Sequence, residues 1–102
     1  MKRIKLMADY QCFPVWEAGD GHFGNIDPQD LPISVDLTID LANWARQYDE
    51  TLNLDQPSKS GFNDEESELA FRRLGERLQT RLQNELDGEY VVDLFMGNGN
   101  LF

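Results

Sequence analysis

Cys12 and His22, the one cysteine and the one histidine of this chain, lie in the same stretch as Asp9 and Asp20. A thiol, an imidazole and carboxylates are the donors of a zinc site. Their spacing matches no CxxC, HExxH or zinc-finger pattern, and one Cys with one His leaves carboxylates to finish the site, so no metal is expected. Nucleophilic catalysis would need Cys12 or a serine activated by His22. Nothing in the sequence brings these groups into reach, and Cys12 reads as a small buried hydrophobe. The run Gly19-x-Gly21-x-x-Gly24 matches the letters of the dinucleotide fingerprint, but it neither follows a clear strand nor opens a helix. The window from Asp20 to Leu31 fails as a calcium loop, because its twelfth position is Leu31 where a bidentate Glu is required. Pairs of carboxylates can be chosen almost anywhere in so acidic a chain, so they do not discriminate a glycosidase. The reading is a non-enzymatic protein without a cofactor.

With nineteen Asp and Glu against nine Lys and Arg, the formal charge is -10 and the pI is near 4.3. Binding to a nucleic-acid backbone requires a basic footprint that releases counterions, which excludes nucleic acid as the partner. A basic protein partner fits better; the alternative is that the charge only maintains solubility. The chain of 102 residues is read as a single domain, 1–102, with 40% apolar residues to build a core. No apolar run approaches the ~18 residues of a membrane span. MKRIKLMADY has no secretory apolar region, and a single cysteine suits a reducing compartment, so a cytoplasmic location is expected.

The elements that must position these residues follow from periodicity. RIKLMADY, residues 3–10, alternates as a strand with Ile4, Leu6, Ala8 and Tyr10 on the core face. The stretch from Asp9 to Ser34 fits neither template and reads as a long ordered loop, with a short strand around Cys12 to Trp16 left open and a turn or single helical turn at Pro28. Ser34 caps a helix over 35–48, whose stripe Leu37, Leu41, Trp44, Ala45 and Tyr48 faces the core. Val35, Ile39 and Ala42 point the opposite way. The expectation is that the loop folds back over Val35 and Ile39; the alternative is a partner-binding patch edged by acid.

A second helix over 64–87 is bounded by Asn63 with Glu66 and by Gly88, and Phe71, Leu74, Leu78, Leu82 and Leu86 form its stripe. Gly75, near that stripe, is expected to permit close approach to the first helix or the sheet. Arg73, Arg77 and Arg81 read as a solvated row partly paired with acid. EYVVDLFM, residues 89–96, reads as a strand, and GNGNLF as a frayed tail. The fold class is α/β (α+β), a small two-layer sandwich whose N- and C-terminal strands share one sheet packed on a two-helix hairpin. Their relative direction stays open. Two strands make a marginal sheet, so a third strand from the loop, dimerisation or a partner at an edge is expected to complete it.

LMADYxCxPxW at Leu6 to Trp16, GNIDPxxLPxS at Gly24 to Ser34 and YDxTLNxDxPxxSGF at Tyr48 to Phe62 resemble the shared segments of a family of small acidic bacterial proteins. The resemblance carries over no catalytic residue. Some such proteins are similar to immunity proteins of contact-dependent growth inhibition and related toxin systems, which neutralise a cognate toxin inside the cell. That similarity implies a basic toxin domain as partner, held through electrostatic steering, with carboxylates in the place of substrate phosphates. On this reading Asp20, Asp27, Asp30, Asp36 and Asp40 form the binding edge beside Ile39, with Trp16 and Phe23 as aromatic anchors. A self-associating homodimeric module is the alternative.

Overall fold

The computed structural model describes residues 2–19, 24–52, 55–56, 61–62, 64–96 and 100–101. Strand β1 (Lys2–Met7) is followed by the short strands β2 (Val15–Glu17) and β3 (Asn25–Ile26), a 3-10 turn at Pro28–Asp30, and helix α1 (Val35–Asp49). Helix α2 (Glu65–Glu85) and strands β4 (Tyr90–Met96) and β5 (Asn100–Leu101) complete the order. The strands form one mixed sheet, β3-β2-β1-β4-β5, in which β1 and β4 run parallel and the other neighbours antiparallel. This settles the direction left open by the sequence: the two terminal strands are parallel neighbours, with Ile4 opposite Val92 and Leu6 opposite Leu94.

Period-two alternation decides which side of the sheet is covered. Ile4, Leu6, Val15, Val92 and Leu94 are buried beneath the helices. On the other side Lys5 stands opposite both Trp16 and Asp93, and Met7 opposite Phe95, all only half-buried. The helices form an antiparallel hairpin: Ser34 at the start of α1 meets Glu85 at the end of α2, and Trp44 meets Phe71. Trp44 and Phe71 stack with ring centroids 4.6 Å apart, and the Trp44 indole N–H donates to the Phe71 carbonyl at 3.0 Å. The only polar atom of a fully buried indole is thereby satisfied. A Cβ at Gly75 would stand 2.8 Å from Trp44 Cζ2, so the close approach expected at this glycine is made by an aromatic side chain.

The structure corrects several sequence expectations and bears out one. The third strand that the Asp9–Ser34 stretch was expected to offer is present as β2, and β3 adds a fourth, so the stretch extends the sheet beyond β1. The tail does not simply fray, since β5 pairs with β4. The sheet is therefore completed within the chain. The first strand ends at Met7, and Ala8 remains buried while Tyr10 turns aside to stack on Tyr48 at 4.5 Å. Asp64, not Asn63, is the N-cap of α2, its side chain accepting from the Ser67 N–H at 2.6 Å, and the helix ends at Glu85, two residues before Asp87. Asn63 and Leu54 lie outside the described residues.

Beside β5, the outer edge of β4 is closed by α2. Gln83 accepts from the Val92 N–H at 2.9 Å and donates to the Tyr90 carbonyl at 2.8 Å, while Gln79 donates to the Val92 carbonyl at 2.9 Å.

Candidate functional site

Helix α1 presents two apolar stripes. Its inner stripe is in the core, but Val35 is 73% exposed and Ile39 51%. The loop does not cover them, contrary to the expectation. The reason lies in what the loop does instead. Asn25 on β3 accepts from the Phe13 N–H at 2.9 Å and donates to the Phe13 and Val15 carbonyls at 2.7 and 3.0 Å, which holds the loop against the sheet edge. Gln11 takes a left-handed backbone conformation (φ 60°), with its N–H bound to the Asp49 carboxylate at 2.9 Å. The far end is tied by the Tyr10 hydroxyl, 2.8 Å from the Thr51 hydroxyl. These ties bring the loop to the flank of α1 rather than over its outer face.

Between them lies a cleft of about 230 Å³. The loop supplies Cys12, Phe13, Pro14, Asp27 and Pro28, and the helix supplies Thr38, Ala42, Ala45, Arg46 and Asp49. The alanines make the floor shallow, and Phe13, 47% exposed, stands at the lip. Cys12 is half-exposed rather than buried in the core as expected. Partial desolvation, followed by the charges of Asp9 and Asp49, pushes its thiol pKa up, so the thiolate that nucleophilic chemistry requires is disfavoured. Among the described residues no three His, Cys, Asp or Glu side chains converge as metal ligands would. His22 lies outside those residues.

The residues expected to form one binding edge are dispersed. Asp27 caps the 3-10 turn through the Gln29 N–H at 3.0 Å and lines the cleft. Asp30, exposed, lines a different cleft at the sheet end, with Lys2, Arg3 and Tyr90. Asp36 and Ile39 are exposed on α1. Asp40 faces α2 and is paired with Arg81 at 2.5 Å, so one member of the arginine row is engaged within the fold. Trp16 sits on the uncovered sheet face, its indole N–H donating to the Met7 carbonyl at 3.0 Å. Asp20 and Phe23 lie outside the described residues.

Sequence reasoning missed Phe13 and the cleft. Asn25, which holds Phe13 in place, gives no signal in a linear pattern, because its partners are backbone groups.

Residues 2–97 match the protein family described as "Serratia CdiI immunity protein-like". The chain belongs to that family. The family is one of immunity-protein-like chains, whose partners in general are toxins and whose members are generally non-enzymatic. No individually curated protein matches the chain significantly. Among the described residues no helix is long and apolar enough to cross a membrane.

Proposed function

We propose that the chain is a cytoplasmic immunity protein of a contact-dependent growth inhibition system, which binds a basic toxin domain and occludes its active site. The observation that carries this reading is the family match over residues 2–97. Physical chemistry supports the sign of the partner. A formal charge of -10 accelerates encounter with a basic domain and disfavours association with acidic ones. Asp20, Asp27, Asp30 and Asp36 are the carboxylates assigned to the contact, and Ile39, Phe23 and Trp16 its apolar members. Asp40 contributes through its pair with Arg81 and not as a free charge.

The test is to identify a toxin domain encoded beside the gene, co-express the two, and titrate the purified pair at two salt concentrations. Growth should be rescued, and the complex should weaken markedly as salt rises, since exposed charges are screened over about 8 Å at physiological ionic strength. Failure to rescue growth or to bind that domain at low salt would sink the proposal.

The alternative is self-association, favoured by the exposed Val35 and Ile39. A solution mass corresponding to the monomer at high concentration would remove it.

A further inference from the structure

We infer that the outer face of α1, together with the cleft beside it, receives an amphipathic basic helix of the partner, with an apolar side chain seated between Phe13 and Ala42. The inference deepens the immunity reading and rests on it.

Val35, Ile39 and Ala42 recur at i, i+4 and i+7 and form a ridge about 10 Å long at 1.5 Å per residue. All three are exposed, while every residue of the inner stripe before Tyr48 is buried. Ala42 also lines the cleft, so ridge and depression are continuous. A ridge beside a groove is the surface on which a second helix packs. The stripe lies on a helix otherwise polar outside its core face, and apolar surface of this kind gains from being covered by a partner.

Charge selects the occupant. Asp27 borders the cleft on the loop side and Asp49 on the helix side, while Asp36 in the first turn of α1 and its C-cap Glu50 add acid along the helix. Arg46, the one cation among the described residues lining the cleft, lies 3.9 Å from Glu50. A partner helix therefore meets an apolar seam between two acidic borders, and lysines or arginines flanking its own apolar stripe complement both. An acidic helix would meet like charge on each side, and a second copy of this chain would bring another net charge of -10.

The test uses the full chain and the toxin domain encoded beside its gene. Ile39→Arg and Ala42→Arg place a charge on solvent-exposed positions, and circular dichroism of each variant checks that the fold is kept. Each should weaken the complex at least ~30-fold, the range of an interface hot spot. Thr80→Ala, an uncharged change at an exposed position of α2, should leave affinity within about 3-fold, as remote positions do. Cys12, the only cysteine, gives a second readout that needs no variant: N-ethylmaleimide should label it in the free chain and be excluded in the complex, as read by intact mass. Tight binding by both arginine variants, or Cys12 labelled at the free rate in the complex, overturns the inference while leaving the immunity reading intact. Wild type that fails to bind the toxin domain removes both. A wild-type dimer in solution that Ile39→Arg dissociates also overturns it, by assigning the ridge to a second copy.

Discussion

Helix α1 has two faces of similar composition and opposite fate. Leu37, Leu41 and Trp44 are fully buried, whereas Val35 and Ile39, two positions from the nearest of them, stand in solvent. The residue types do not explain the difference. What differs is the neighbour: the inner face finds α2 and the sheet, and the outer face finds none among the described residues, because hydrogen bonds with Asn25 and Asp49 hold the chain around Gln11 and Phe13 at its flank. Burial is a property of the assembled fold, and an apolar residue left outside retains its transfer free energy for another partner, about 1.5–3 kcal/mol per large side chain.

The comparison can be broken most forcefully from inside. Trp44→Ala removes the largest buried side chain, its stack on Phe71 and its hydrogen bond, and should cost about 3–5 kcal/mol in denaturant unfolding. A loss below 1 kcal/mol would mean that the inner face is not the stabilising one. Gly75→Ala is the converse test. Alanine improves helix propensity by about 1 kcal/mol. Its Cβ, however, meets the ring of a stacked, fully buried tryptophan, and overpacking of this kind costs about 1–3 kcal/mol. Net destabilisation is expected, with a partial recovery in a Trp44→Phe background.

Ser34→Ala removes the cap of α1, where the hydroxyl accepts from the Leu37 N–H at 3.2 Å and donates to Glu85 at 2.8 Å. A loss of about 1 kcal/mol in the same measurement is expected. Ile39→Ser should change stability by no more than about 0.5 kcal/mol, as for an exposed site, while weakening the complex. A large loss of stability there would show that the outer face is covered after all.

The smallest effect is one of pH. Hydrogen bonds from Ser67 lower the Asp64 carboxyl pKa in the folded chain from its ordinary value of 3.8. The unfolded state thus binds the proton more readily, so the contribution is present above the ordinary pKa and fades as pH falls through the folded one. Replacing Asp64 with Ser should flatten the acid limb of the stability curve slightly without changing stability-versus-pH above about 5.

Both helices and the core were legible because their determinants are local: a 3.6-residue stripe, a serine cap at 34, and a glycine at 75 that had to serve close packing. The terminal strands were legible by alternation, but not their direction, which depends on how a 21-residue helix and its connection return the chain. Strands β2 and β3 were not visible as a pair. At three and two residues they are too short to carry a period, and Asn25 stabilises them by bonding to backbone that any sequence would offer. The proposed site was legible in part. Ile39 and Asp36 could be placed on an exposed flank from helical phase, but the pairing of Asp40 with Arg81 spans 41 positions and only the tertiary fold creates it.

The glutamines of α2 have a consequence for how this molecule behaves in quantity. High concentration penalises any open strand edge that can recruit a neighbour. Gln79 and Gln83 occupy the donors and acceptors of β4 with side chains, acting as a surrogate strand that cannot itself be extended. Abundance is thereby uncoupled from polymerisation. Concentrated Gln79→Ala, Gln83→Ala protein should form thioflavin-positive aggregates under conditions in which the wild type remains clear, and equal clarity of the two would show that the edge needs no such guard.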